Sequence, residues 1–372
     1  MKNKKIVLVA NTSWSMFNFR GGVIQHLLNA GCKLTVIAPL DDFSEKLRAM
    51  GCEVVALPMS AKGTNPVQDL KLVYTLYSLY RKVAPDFIIH YTIKPNIYGS
   101  LAAKFAKIPS LAITTGLGYT FLNNNLVAKV ARLLYKLAFH FPKEIWFLNE
   151  DDRQVFLQHQ LVSQAKAVLL HGEGVDLAHF SPRAQLAPDG KLRFLLIARM
   201  LWDKGVGEYV ESAKIVRQQY PQAVFQLLGA CGVANPSVIE REQIAKWEQA
   251  GMVEYLGTTP DVRPIIANAD CVVLPSYREG IPRTMIESAA MAKPLIVTDV
   301  PGCRDVVIPG QTGFLCPAKD VAALAHCCVK FINMNAEQTS KMGEAGRTLM
   351  VSKFDEQLVI AQYLRTLSRY LS

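Results

Sequence analysis

No two aspartates stand two residues apart anywhere in the 372-residue chain. One common way of holding a metal ion on a nucleoside diphosphate is therefore missing. The eight cysteines, Cys32, Cys52, Cys231, Cys271, Cys303, Cys316, Cys327 and Cys328, include no Cys-x-x-Cys pair and no zinc-like Cys/His spacing, so they read as reduced packing residues. No window reaches the ~18–20 uninterrupted apolar residues of a membrane span. The opening MKNKKIVLVA imitates a secretory signal, but the apolar run Ile6 to Ala10 is too short for one and meets polar Asn11-Thr12-Ser13, so it reads as a buried first strand. No Gly-x-Gly-x-x-Gly follows that strand, which weakens any dinucleotide oxidoreductase reading. What is present is a chain 50% hydrophobic and 19% charged, neither disordered nor low in complexity. Its length suits two domains, or one large barrel.

Acidic residues are scarce in the first 148 positions, where 18 Lys and Arg face seven Asp and Glu; the other 224 residues nearly balance. A one-sided basic half implies an anionic partner, either nucleic acid or an anionic membrane surface, the alternative being a merely solubilising face.

Short β-branched runs alternate with stretches of helical length: Ile6 to Ala10, Leu34 to Ala38, Val54 to Leu57, Phe87 to His90, Leu111 to Thr114 and Ile145 to Leu148. After a weaker stretch, His171 to Gly190, the pattern restarts at Leu192 to Ala198 and continues through Val224 to Leu228, Val253 to Leu256, Cys271 to Leu274 and Leu295 to Val297. Such alternation predicts an α/β chain of two Rossmann-like, doubly wound domains, with a ligand between them outside the carboxyl ends of the strands. The expected division is residues 1–180, 190–355 and a closing amphipathic helix, 356–372, that crosses back to the first domain.

The strongest local signal runs from Pro275 to Ala290, after a buried strand and opening a helix. Gly280 permits close backbone approach, Pro282 suits a first helical turn, and free amides at that helix start offer a phosphate or sugar-oxygen site. Glu279 before the helix and Glu287 inside it cannot both bind phosphate, so sugar hydroxyls are their expected partners. The bland alternatives are a dipole-stabilising carboxylate and a solvated face. Earlier, Arg199 and Lys204 flank a loop that leads from a strand into a helix. A guanidinium and an ammonium converging there would neutralise a diphosphate without a metal.

Glu279 with Glu287 eight residues on, the Arg199…Lys204-Gly205 loop, the Gly21-Gly22 turn after strand one and Gly172-Glu173-Gly174-Val175-Asp176…Phe180 together resemble the retaining GT-B glycosyltransferases of family GT4. The resemblance spans nearly the whole chain. Ser276 to Arg283 and Val300 to Asp305 further resemble the bacterial branch that builds O-antigens, capsules and N-linked oligosaccharides on undecaprenyl diphosphate, including PglA-type N-acetylgalactosaminyltransferases.

The resemblance implies a GT-B fold with two domains facing across a cleft, and transfer of a sugar, such as N-acetylgalactosamine, from a UDP-sugar to an undecaprenyl-diphosphate-linked glycan. It implies Arg199 and Lys204 on the donor diphosphate, Glu279 on the transferred sugar, Glu287 on the ribose hydroxyls and Gly280, Ile281, Pro282 and Arg283 lining the donor. Gly22 would let a first-domain loop approach the diphosphate. No cofactor or metal is expected. Many family members end a first-domain strand on a donor-binding histidine, whereas this chain reads Thr114-Thr115-Gly116-Leu117-Gly118-Tyr119 there.

For the acceptor the candidates are Arg20, His90 and Lys94, each with a bland alternative: a core histidine for His90 and surface charges for the others. Asn124 to Phe141 reads as a cationic amphipathic helix with Lys129, Arg132 and Lys136. It either lies on anionic lipid or packs on the core with its lysines solvated. The expected location is the cytoplasm, peripheral on the inner face of the plasma membrane. Two competing readings are a UDP-sugar 2-epimerase of the same fold, against which the glutamates and the Arg/Lys loop stand in transferase order, and a basic nucleic-acid-binding protein, for which no reading motif is present. The expected partners therefore exclude nucleic acid.

Overall fold

The computed structural model describes residues 1–59, 65–117, 126–184, 189–233 and 235–371, with Leu126 and Val127 described by backbone alone. Gly118, Tyr119, Asn124 and part of the expected linker lie outside the described residues. The elements run β1 (Lys5–Val9), α1 (Ser13–Asn29), β2 (Lys33–Ala38), α2 (Ser44–Ala49), β3 (Glu53–Ala56), α3 (Pro66–Val83), β4 (Phe87–Tyr91), α4 (Ser100–Ala106), β5 (Ser110–Thr114), α5 (Leu126–Ala138), β6 (Glu144–Phe147), α6 (Glu150–Gln158) and β7 (Ala167–Leu169). These strands form one parallel sheet ordered β3-β2-β1-β4-β5-β6-β7. There follow β8 (Leu192–Ile197), α7 (Val206–Gln219), β9 (Ala223–Leu228), α8 (Arg241–Gln249), β10 (Glu254–Tyr255), α9 (Arg263–Asn268), β11 (Cys271–Leu274), α10 (Arg283–Ala290), β12 (Leu295–Thr298), β13 (Gly313–Cys316), α11 (Val321–Ile332), α12 (Ala336–Leu349) and α13 (Glu356–Leu371). The second sheet, also parallel, is ordered β10-β9-β8-β11-β12-β13.

Helices cover both faces of each sheet, so the central strands are buried on both sides and read as unbroken apolar runs rather than alternating ones. Ile6 to Val9 and Phe194 to Leu196 are wholly buried. Polar caps start several helices: Thr12 accepts from the Ser15 amide at 3.1 Å, and Asn65 accepts from the Val67 amide at 3.0 Å with Pro66 in the first helical position.

The chain divides into two compact units, Met1–Glu173 with Glu356–Ser372, and Gly174–Asp355. Helix α13 belongs to the first unit. Its Tyr363 ring meets Trp146 with centroids 4.9 Å apart, its Tyr363 hydroxyl lies 3.1 Å from that of Tyr91, and Arg369 reaches Glu144 at 3.0 Å. Residues 174–180, read from sequence into the first domain, lie in the second unit. Val175 bridges to Asp355, Phe180 is buried in that unit's core, and Arg347 donates to the Phe180 carbonyl at 3.2 Å.

Two strands were not anticipated, β7 and β13, each at a sheet edge. Gly21 and Gly22 do not form a turn; both lie inside α1. Among the described residues no disulfide forms and no helix is long and apolar enough to cross a membrane.

Candidate active site

In the second unit the chemistry-bearing residues collect at the carboxyl ends of three adjoining strands, β8, β11 and β12. The loop after β8 carries Arg199, which is exposed, then a single 3-10 turn, Trp202–Lys204, closed by Gly205. Gly205 has φ +71°, and a Cβ there would sit 2.0 Å from the Pro275 carbonyl oxygen. Only glycine lets the two loops press together in this way. The contact is reinforced by the Tyr277 amide, which donates to the Asp203 carbonyl at 3.0 Å, and by Ser276 Oγ, which donates to the same oxygen at 3.2 Å.

This stitching brings Lys204 onto Glu279: the Lys204 ammonium donates to Glu279 Oε1 in a largely buried ion pair. The strand order explains the meeting, because β8 and β11 are neighbours in the sheet though 75 residues separate the two side chains. The third loop, after β12, supports Glu279 from below. The Glu279 amide donates to the Pro301 carbonyl at 3.1 Å. Gly302, at φ +82°, leaves room where a Cβ would lie 2.5 Å from the Glu279 and Gly280 carbonyls. Val300 to Asp305 was part of the sequence resemblance but had no role; its role here is to position the backbone of Glu279.

Pro282 occupies the position just before α10, and Thr284 Oγ1 donates to the Ile197 carbonyl at 3.1 Å, tying the helix start to the end of β8. One turn on, Arg283 Nε donates to Glu287 Oε1 at 2.8 Å. Burial raises the Glu287 carboxyl above its ordinary value, and the Arg283 guanidinium opposes that rise. The structure thus gathers Arg199, Lys204, Glu279, Gly280, Ile281, Pro282, Arg283 and Glu287 on neighbouring loops and one helix turn. Among the described residues no group of three or more His, Cys, Asp or Glu converges as metal ligands would.

The first-unit candidates fare differently. His90 is the penultimate residue of β4 and is 0% exposed, with Nε2 3.0 Å from the Tyr80 hydroxyl. Burial pushes its imidazole down to about 3, with a backbone interaction at Leu111 opposing. Its ring fills the space beside Gly99, where a Cβ would be 2.5 Å away. His90 is a neutral core histidine rather than an acceptor contact. Gly22 likewise does not serve a loop: its missing Cβ makes room for the Glu356 carboxylate of α13, 2.6 Å from the position a Cβ would take.

Arg20 is buried, pairs with Glu173 and lies over the Tyr91 ring at 4.7 Å, so its charge is already met within the unit. Sequence reasoning quoted Glu173 without giving it this partner, and the 153 residues between them left no signal. Lys94 is half-buried and paired with Asp69 at 3.3 Å; Asp69 also accepts from the Tyr98 hydroxyl at 2.7 Å. The backbone at Thr92, just before Lys94, has φ +70°, an unusual conformation for a β-branched residue.

Comparison with known proteins fits this arrangement. Residues 179–349 match the family "Glycosyl transferases group 1", and residues 5–149 match "Glycosyl transferase 4-like". The chain is 30% identical to the N,N'-diacetylbacillosaminyl-diphospho-undecaprenol alpha-1,3-N-acetylgalactosaminyltransferase of Campylobacter jejuni, over 99% of each chain. It is 24% identical to the UDP-Gal:alpha-D-GlcNAc-diphosphoundecaprenol alpha-1,3-galactosyltransferase of Escherichia coli, over 82% of this chain and 79% of that one. Among solved structures, a glycosyltransferase from Rickettsia africae aligns with a TM-score of 0.79 at 19% identity, over 100% of both chains. Anabaena HepE, determined with UDP and glucose, aligns with a TM-score of 0.80 at 18% identity, over 98% of this chain and 100% of that one. With both halves matched by glycosyltransferase families and a 30% identical relative spanning it from end to end, the chain belongs to the GT4 glycosyltransferases and has their GT-B fold.

Proposed function

We propose that this enzyme transfers an N-acetylhexosamine, N-acetylgalactosamine first among them, from a UDP-sugar to a glycan carried on undecaprenyl diphosphate, with retention at the anomeric carbon and without a metal ion in the chemical step. The observation that carries the reading is the convergence of Arg199, Lys204, Glu279 and the first turn of α10 on the adjoining ends of β8 and β11. The whole-length likeness to the Campylobacter transferase supports the choice of donor and acceptor.

In this reading Arg199 and Lys204 meet the donor diphosphate. As the bond between the anomeric carbon and the β-phosphate oxygen lengthens, negative charge grows on that oxygen, where fixed cations and α10 amides stabilise it without reorganising. The same oxygen takes the proton of the acceptor hydroxyl, whose oxygen bonds to the anomeric carbon from the face the phosphate leaves. Glu279 accepts from a hydroxyl of the transferred sugar and keeps Lys204 aimed at the phosphate. Glu287, oriented by Arg283, accepts from the ribose hydroxyls. Gly280 and Ile281 line the donor, and Lys94 is the first-unit candidate for the acceptor diphosphate. The basic first half holds the enzyme on the anionic cytoplasmic leaflet, with Lys129, Arg132 and Lys136 of α5 contributing.

The test is incubation with a panel of UDP-sugars and a lipid-diphosphate-linked saccharide series, followed by NMR of the product. The expected result is acceptor-dependent transfer from UDP-N-acetylgalactosamine with the donor's anomeric configuration kept. An inverted linkage, or an epimerised sugar formed without acceptor, would overturn it.

A further inference from the structure

Helices α3, α4 and α5 bury one side of themselves in a shared core, through Leu72 and Leu76, Ala102 and Ala103, and Tyr135 and Ala138 respectively. They therefore line the same face of the first sheet, and their other sides are free to meet something else. Those outer sides are not polar. Leu70 is 71% exposed, Tyr74 70% and Phe105 65%, with Leu133 at 68% and Leu137 at 54%. The spacing is helical: Val67, Leu70 and Tyr74 stand at i, i+3 and i+7 on α3, a stripe offset from the buried Leu72, Leu76 and Tyr80. Between α3 and α4 lies an open groove of about 460 Å³, lined by Leu70, Val73, Tyr74, Tyr77 and Phe105.

The charges on these helices are nearly all positive. They carry Lys71, Arg81, Lys82, Lys104, Lys129, Arg132 and Lys136 against the single acid Asp69, and that acid is engaged by Lys94 and Tyr98. Soluble surfaces seldom keep apolar patches of this breadth without a partner. Exposed Leu, Tyr and Phe ringed by Lys and Arg, with almost no free carboxylate, complement an anionic lipid leaflet. Acyl chains receive the apolar tips while headgroups meet the cations.

We infer that the outer face of α3 and α4, continued by α5, inserts Leu70, Tyr74 and Phe105 into an anionic lipid leaflet, so that membrane attachment is apolar as well as electrostatic. This deepens the membrane reading above, which by itself requires only the basic charge. The two contributions respond differently to salt. Screening lengths shrink to about 3 Å at 1 M ionic strength, which removes attraction between the surface charges and the leaflet. Burial of Leu, Tyr and Phe survives it.

The experiment is sedimentation of the full chain with phosphatidylethanolamine–phosphatidylglycerol vesicles at low salt and at 1 M salt. It compares the parent protein with Leu70→Ser/Tyr74→Ser/Phe105→Ser and with Lys129→Glu/Arg132→Glu/Lys136→Glu. The parent is expected to keep a salt-resistant fraction that the serine variant loses, each side chain being worth about tenfold or more in partitioning. The glutamate variant should lose the salt-sensitive part of the binding and keep the salt-resistant remainder. Complete release of the parent by salt, or unchanged salt-resistant binding of the serine variant, overturns the inference. So does a concentration-dependent dimer of the parent that the serine substitutions dissolve, since the face would then cover a second copy. Turnover of all three proteins on a water-soluble, short-chain acceptor reports folding and tests the transferase reading separately: loss of turnover there with vesicle binding intact would sink that reading alone.

Discussion

Lys204 and Glu279 face each other as an ion pair across the loops that follow β8 and β11, although neither is near the other in sequence. Residues in direct contact couple, so the informative variant is the conservative one, Glu279→Gln, whose amide oxygen can still accept from Lys204. Glu279→Gln is expected to lose most turnover while UDP affinity stays within a few-fold, because the carboxylate is assigned to the sugar. A charged hydrogen bond realised in the transition state is worth ~1.5–3 kcal/mol, roughly 10- to 150-fold in rate. Steady-state kinetics alongside UDP titration calorimetry check it; wild-type turnover in the folded variant would remove Glu279 from the site.

Arg199→Ala and Lys204→Ala should each weaken UDP binding more than uridine binding, because the assigned partner is the diphosphate. EDTA should leave turnover largely intact. Equal losses for UDP and uridine would refute the assignment, and an absolute requirement for a divalent cation in the chemical step would refute the electrostatic account of leaving-group stabilisation.

Glu287 makes a prediction about pH and stability. Burial holds its folded-state carboxyl above the ordinary value of 4.5, so the native state binds that proton more tightly than the unfolded chain. The stability this provides is present in full below the ordinary value and is lost as pH rises through the folded value. Arg283 opposes the shift, so Arg283→Ala should raise the folded value further and widen the fall in stability between acid and neutral pH. Urea midpoints at pH 4.5 and pH 8 measure the change, with Glu287→Gln as the control that removes the titration. Identical pH slopes in the parent and Arg283→Ala would show that the pair is not coupled.

Two glycines should respond in opposite directions. Gly21 lies in α1 with nothing within 4 Å of a Cβ position, so Gly21→Ala should stabilise by ~0.5–1 kcal/mol. Gly205→Ala must adopt a left-handed backbone, costing ~1–2 kcal/mol before the collision with Pro275 is counted. It should also weaken UDP binding, since Lys204 precedes it. Urea denaturation orders the two, and a Gly205→Ala protein as stable as the parent would contradict the close approach of the loops.

The central strands were legible because burial on both faces leaves a continuous β-branched run, as in Cys271–Leu274, which was read to the residue. The edge strands β7 and β13 were not. Ala167–Leu169 is three residues long, and β13 begins with Gly313, whose missing side chain lets the Leu295 backbone come close. Both depend on one neighbour rather than on their own propensity. In the site, residue types and strand-to-helix positions were readable, but the partners were not. The pairing of Lys204 with Glu279 follows from sheet order, and that of Arg20 with Glu173 from the packing of the first unit. The Gly21-Gly22 misreading has the same origin. Two glycines lower local helix propensity, yet α1 continues through them, capped by Thr12 and packed on the sheet through Met16, Ile24 and Leu27.

Helix α13 supplies Tyr363 and Tyr370 to the side of the first unit that holds Tyr91, Trp146 and Phe87, yet it is separated from the rest of that unit by all of Gly174–Asp355. During synthesis the first unit therefore waits at the ribosome with one wall missing while the intervening unit, which is continuous in sequence, can finish on its own. The half that is made first is completed last. A frameshift or stop near position 355 would leave the donor-side residues intact and expose the aromatic core of the other half, directing truncated chains toward chaperones and proteases rather than toward a catalytically idle but folded enzyme.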